Sequence, residues 1–171
     1  MIIFLIGFMG SGKTTLGKQL AAKLGYCFID QDAVIEKHYQ MTVSEIFAKH
    51  GEEEFRKAEH EVLQELVMRE NCIIATGGGA PCFHNNMELM NEGGFTIYIK
   101  VDPGTLIQRL KTSHSTRPLL KDKSEAELLE YTQQKLNERS PFYSRSKIIL
   151  YSNNLTVDDI LRALEDMNVK A

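Results

Sequence analysis

The 171-residue chain lacks the features that mark several large protein classes. It has no C-x-x-C pair. Its three cysteines, Cys27, Cys72 and Cys82, are an odd and scattered set, which reads as buried free thiols in a reducing compartment rather than a disulfide framework or a zinc site. Positive charge is not in excess: the formal net charge is −3. That argues against nucleic acid as the main partner, since a phosphate backbone calls for a basic face, but it leaves room for a small anion held by a few converging cations. No apolar run is long enough to span a bilayer, so no membrane partner is expected. The apolar stretch from Met1 to Met9 has no basic segment before it and runs into Gly-Ser-Gly-Lys rather than a cleavage site, so it is not read as a signal peptide and the chain is expected in the cytoplasm. The Asn154-Leu155-Thr156 sequon is then coincidental. His60-Glu61 opens like the H-E-x-x-H of a zinc protease, but Gln64 stands where the second histidine belongs. There is no internal repeat or low-complexity linker, and the length and ordinary apolar content fit one domain with a proper core.

What is present is an alternation of short apolar runs and amphipathic stretches, the pattern of parallel strands joined by helices. Met1 to Ile6 is continuously apolar, as in a strand buried on both faces. Further strands are expected at Tyr26–Ile29, Cys72–Ala75, Phe95–Val101 and Ile148–Tyr151. Helices are expected from Lys13 to about Leu24, through the region following Asp32 to about Arg69, after Asp102-Pro103, up to about Glu138, and from Val157 to Met167. Thr42 and Glu45 form a capping box, and Asp102 with Pro103 is a helix-opening pair. Residues from about Ser113 to Ser124 have no clean period and read as a surface loop. The fold class is therefore α/β, a five-stranded parallel sheet flanked by helices on both faces.

The strongest chemical signal is Gly7-Phe-Met-Gly10-Ser11-Gly12-Lys13-Thr14, which fits G-x-x-x-x-G-K-[ST] between a buried strand and a helix. Glycines let backbone N–H groups ring a phosphate; Lys13 would bridge the β- and γ-phosphates and Thr14 would ligate Mg²⁺. Asp30-x-Asp32 ends the second strand, where open α/β sheets hold ligands. These carboxylates could serve a metal and accept a hydroxyl proton, or Asp32 could cap the next helix and Asp30 be a solvated strand end. Gly77-Gly78-Gly79 follows the third strand and is either a site of close backbone approach or a flexible turn. Arg56 has Glu52 four residues before it and Glu59 three after, which on its own reads as a surface ion-pair helix. Arg117 reads as solvated, and Arg139 as solvated or as answering a helix C-terminus.

Taken in order, these segments resemble the shikimate kinases over nearly the whole chain. The residues that carry the resemblance are the phosphate loop with Thr15, Phe28-Ile-Asp30-Gln-Asp32 with Ile35-Glu36, Ile46-Phe47, Gly51-Glu-Glu-Glu-Phe55-Arg56, Thr76-Gly-Gly-Gly79, Arg117-Pro118-Leu119-Leu120 and Arg139-Ser-Pro141-Phe-Tyr143. The resemblance implies a P-loop fold like that of nucleoside-monophosphate kinases, with a substrate-binding helical region at about 32–61 and a mobile lid at about 112–124. It implies transfer of the γ-phosphoryl of ATP to the 3-hydroxyl of shikimate by an Mg²⁺-dependent enzyme of aromatic amino acid biosynthesis; the lack of a long exposed apolar stripe favours a monomer. Asp32 is then the base and a shikimate ligand, Asp30 and Thr14 serve Mg²⁺, and Gly10, Ser11, Gly12, Lys13, Thr14 and Thr15 hold phosphates. Arg56, Arg139, Gly78 and Gly79 hold shikimate, Arg117 is the lid arginine, Arg109 stacks on adenine, and Asn153 marks the region of an adenine-contacting loop. A gluconate kinase would lack the combination of Asp-x-Asp, Phe-Arg and triple glycine, and a nucleotide acceptor would call for a base-recognition pocket that the sequence does not display. A guanine-driven switch would carry Asn-Lys-x-Asp, which is absent.

Overall fold

The structure is a computed structural model that describes residues 1–112 and 124–167. Five parallel strands, β1 (Ile2–Ile6), β2 (Cys27–Asp30), β3 (Cys72–Ala75), β4 (Phe95–Lys100) and β5 (Ile148–Tyr151), form one sheet in the order β2-β3-β1-β4-β5. Helices α1 (Lys13–Leu24), α2 (Gln31–Tyr39), α3 (Val43–Leu66), α4 (Asn86–Gly93), α5 (Pro103–Thr112), α6 (Glu125–Tyr143) and α7 (Val157–Asp166) connect or flank the strands, and a 3-10 turn covers Ala80–Cys82.

The alternation of β1 divides the core. Ile2, Phe4 and Ile6 point to a layer with Val62 and Leu63 of α3 and Met87 and Met90 of α4, whereas Ile3 and Leu5 face Leu16 and Leu20 of α1 and Ile160 and Leu164 of α7. Successive side chains leave opposite faces of a strand, so a wholly apolar run suits the central position. The expected capping box is present: Glu45 N donates to Thr42 Oγ1 and Thr42 N to Glu45 Oε2. Asp102 Oδ1 accepts from Thr105 N at 3.0 Å, as a helix-opening aspartate should. Gly51, with φ of 82°, kinks α3 without ending it.

Three expectations are corrected. Helix α6 runs through Pro141 to Tyr143 instead of stopping near Glu138, so Arg139 lies inside the helix and does not mark its end. The segment after Gly79, for which no element was expected, carries the 3-10 turn and α4. Finally, the cysteines are not three buried free thiols. Parallel pairing sets Cys27 directly opposite Cys72, with Cα atoms 4.6 Å apart, and the two form a disulfide. Cys27 is exposed, and only Cys82 is free. The cysteine pattern therefore does not speak for a reducing compartment. The expected loop at 113–124 lies outside the described residues except for Ser124, which caps α6, and Arg117 lies outside them too.

The bridge closes a loop with a sequence separation of 45 that contains all of α2 and α3. On the chain-entropy account such a closure is worth about 4 kcal/mol, or roughly 10 °C in Tm for a domain of this size. Thermal melts with and without a dithiol reductant should differ by that order, and Cys27→Ser should melt like the reduced protein; coincident melts would show that the bridge carries no stability.

Candidate active site

The phosphate loop leaves the carboxyl end of β1, a strand buried at every position. Gly10 and Gly12 have φ of 80° and 96°, a region that disfavours side chains, and Gly12 sits at the cap of α1. The first amides of α1 have no partner within the helix, which makes its N-terminus suited to an anion. The loop opens on a cavity of about 600 Å³ that is also lined by Asp30, Asp32, Thr76, Gly78 and Arg109. Lys13 Nζ donates to the carbonyls of Gly7 and Phe8 at 2.8 and 3.0 Å, which folds its ammonium over the loop. Ser11 Oγ is buried with no hydrogen-bond partner, so this hydroxyl fits a phosphate oxygen.

At the end of β2, Thr14 Oγ1 donates to Asp30 Oδ2 at 3.1 Å. Two residues singled out as metal ligands thus meet, although among the described residues no group of three or more His, Cys, Asp or Glu gathers as an all-protein metal cage. Two hard oxygens beside a phosphate loop fit Mg²⁺, which keeps several waters and takes substrate phosphates as ligands. The alternative role for Asp32 as a helix cap does not hold. Asp30 occupies the cap position of α2 with no side-chain capping bond, and Asp32 lies in the first turn, within the cavity wall.

The triple glycine is a floor under charged side chains. A Cβ on Gly77 would lie 2.6 Å from Glu59 Oε1 and 2.8 Å from Asp32 Oδ1. On Gly78 it would lie 3.2 Å from Arg139 Nη1, and on Gly79 between 2.5 and 2.9 Å from the Arg56 guanidinium. The backbone of Gly79 is in the ordinary helical region, with φ of −89°, so what excludes a side chain there is space and not torsion. Close approach, not a flexible turn, accounts for the motif.

Arg56 does form the two ion pairs its neighbours suggest, to Glu52 at 3.1 Å and to Glu59 at 2.8 Å. It is not a surface residue, however: its side chain is 11% exposed, and its guanidinium lies 4.1 Å from the centroid of the Phe83 ring. Arg139 lies 5.3 Å from the centroid of Phe8, on the phosphate-loop side. Tyr143, fully buried one turn later on α6, donates its hydroxyl to Gly78 O and ties that helix to the floor. Arg109 donates to Gly10 O and to Asn153 O, which brings together the two positions expected near adenine.

The family model for shikimate kinase matches residues 9–167. The chain belongs to the shikimate kinase family. A shikimate kinase of Azobacteroides pseudotrichonymphae is 46% identical over 163 residues, which span 95% of this chain and 96% of that relative. The crystal structure of shikimate kinase from Bacteroides thetaiotaomicron superposes with a TM-score of 0.93 at 42% identity, covering 98% of each chain. Shikimate kinase from Acinetobacter baumannii, solved in complex with shikimate, gives a TM-score of 0.86 at 33% identity over 98% of this chain and 92% of that one. The family membership makes this enzyme a kinase that uses a hydroxyl group of shikimate as acceptor.

Two residues of this site were not singled out from sequence. Glu59 is 1% exposed, and burial pushes its carboxyl up to about 7 even though the Arg56 guanidinium pulls it down. Gln31 is fully buried, donates to Glu59 O at 2.9 Å and accepts from Gly77 N at 3.2 Å, so that it locks α2, α3 and the glycine floor together. The i, i+3 spacing of Arg56 and Glu59 was a visible signal for the first. The second had none, because its partners are main-chain atoms 28 and 46 residues away.

Gly79→Ala should push the Arg56 guanidinium off the floor. The expected result is a KM for shikimate raised about ten- to hundredfold, the worth of a charge-assisted hydrogen bond, with the KM for ATP unchanged; steady-state kinetics in each substrate checks it.

Proposed function

We propose that the enzyme transfers the γ-phosphoryl group of ATP to the 3-hydroxyl of shikimate, giving shikimate 3-phosphate and ADP, with the acid substrate lying between Asp32 and the two arginines. The observation that carries this reading is the convergence of Arg56, Arg139, Asp32 and three side-chain-free residues beside one phosphate loop. A small cyclic acid with several hydroxyls matches that set. Its carboxylate suits two forked guanidinium groups, its ring suits bare backbone, and a hydroxyl suits Asp32.

In the reaction the 3-hydroxyl oxygen attacks the γ-phosphorus, its proton passes to Asp32 Oδ, and the bond to the β–γ bridging oxygen breaks as ADP leaves. Gly10, Ser11, Gly12, Thr14 and Thr15 hold the phosphates through the loop and the start of α1, and Lys13 follows the charge on the β- and γ-oxygens. Gly78 and Gly79 offer backbone N–H groups to the acid. Thr14 and Asp30 would hold Mg²⁺, which supplies charge neutralisation at the phosphates when bound. Arg109 and Asn153 are assigned to the adenine end, and residues of about 32–61 to the acid-binding region. Arg117 is assigned to a lid of about 112–124 on the family resemblance alone. Such a lid, on closing, would exclude water that could otherwise hydrolyse ATP. We place the enzyme in the cytoplasm, acting as a monomer and without a nucleic-acid or membrane partner. Among the described residues no helix is long and apolar enough to cross a membrane.

A coupled ADP-release assay with ATP, Mg²⁺ and shikimate tests the reading, with gluconate and nucleoside monophosphates as controls. Release that depends on shikimate alone is expected, and release that ignores shikimate would overturn the assignment. Lys13→Ala should lower kcat at least about a hundredfold with the fold intact by circular dichroism, because charge stabilisation is a large part of phosphoryl-transfer catalysis. Arg56→Ala should raise the KM for shikimate far more than that for ATP; equal effects would mean that the arginine does not hold the acid.

A further inference from the structure

We propose that Glu59 is the resident counter-ion of the acid-binding clamp and takes up a proton when the substrate carboxylate enters, so that binding of the acid is linked to pH. The inference rests on the reading of Arg56 and Arg139 as that clamp. Its basis is an unequal use of the two Glu59 oxygens. Oε2 lies 2.8 Å from Arg56 Nη1. Oε1 is buried with no hydrogen-bond partner and points into the gap at Gly77, the gap that Asp32 Oδ1 also faces. A buried carboxylate oxygen without a donor is costly as an anion and is a ready place for a proton.

The groups around Glu59 come from four elements. Arg56 lies on its own helix, Asp32 approaches from α2, and Arg139 from α6. Cys82 approaches from the 3-10 turn; burial holds its thiol up to about 11, so it stays neutral. Two guanidinium charges therefore face the carboxylates of Glu59 and Asp32, and the more exposed Glu52 also pairs with Arg56. A substrate carboxylate adds a further negative charge against the same two cations, inside a pocket whose floor carries no side chain. Like charge raises a carboxyl pKa. The proton comes from solvent or buffer and forms a bond to Oε1. Oε2 remains an acceptor for Arg56, and the new O–H can donate toward Asp32 across the gap. Gln31 keeps Glu59 and Gly77 in place throughout.

The sign follows directly. Burial already brings the Glu59 carboxyl to about 7, and the bound acid raises it further, so the protonated form binds the acid better. Affinity is highest below pH 7 and falls as pH rises through and beyond that value.

The test is calorimetric titration of shikimate into the full chain at pH 7 in buffers of different ionisation enthalpy. The expected heat varies linearly with that enthalpy, with a slope equivalent to uptake of up to about half a proton, the fraction of Glu59 still ionised near its pKa. The Kd should rise several-fold from pH 6.5 to 8.5. Glu59→Gln keeps the shape and an acceptor for Arg56; it should bind shikimate with a slope near zero and a Kd that does not follow pH. A purely structural Glu59 would leave the proton count unchanged. Binding heat in the wild type with no dependence on buffer, or a slope that persists in Glu59→Gln, overturns the proposal and leaves the clamp standing. Absence of shikimate binding at any pH overturns the clamp itself. If Glu59→Gln does not fold, infrared difference spectra of the wild type decide: a protonated-carboxyl band must grow as shikimate is added, and its absence refutes the proposal.

Discussion

The site depends on room made by missing atoms. Four charged side chains from three helices, Asp32, Arg56, Glu59 and Arg139, are brought against three consecutive residues, and each glycine is bare where a Cβ would strike one or two of them. Guanidinium and carboxylate groups are expensive to bury unless paired closely, and they can pair closely here because the main chain itself is the wall. Gln31 and Tyr143 then bind that wall to α2, α3 and α6 through its own N–H and carbonyl groups.

The same constraint explains why the clamp is both buried and polar. Arg56 is sandwiched between aromatic rings and carboxylates, an arrangement that fixes the fork before any ligand arrives, so less conformational freedom is lost on binding. The cost is borne at Glu59, which is held out of water with one oxygen unmatched. The phosphate loop is supported differently: it hangs from a strand with apolar layers on both faces, and its glycines leave backbone amides open to an anion. The arginine-carboxylate cluster and the phosphate loop are thus built by opposite means.

Much of this was legible in the sequence. Strand-loop-helix at the phosphate loop, the five strands, the Thr42–Glu45 cap and the Asp102 cap all follow from local patterns, and local patterns are what a sequence displays. Arg56 illustrates the limit. Its spacing to Glu52 and Glu59 predicted both ion pairs but not their burial, because burial depends on Phe83 and Gly79, which reach it only through the fold. Resemblance to a family, not periodicity, singled out Arg139 as a ligand. The Cys27–Cys72 bridge was misread for a similar reason: the register that sets β2 against β3 is a property of the sheet, and nothing in a spacing of 45 residues announces it. Helix α6 outran its expected end with Pro141 inside it, and Tyr143 at its close is held by the floor.

Because three successive residues answer to side chains from three helices, α2 and α3 at Gly77, α6 at Gly78 and α3 again at Gly79, the segment after β3 works as a ruler with three marks. A point substitution elsewhere in the site disturbs one mark and can be compensated by a second substitution nearby. Insertion or deletion of one residue between Ala75 and Ala80 moves all three marks at once, against helices that stay where they are. Variation within this lineage should therefore preserve the number of residues in this segment.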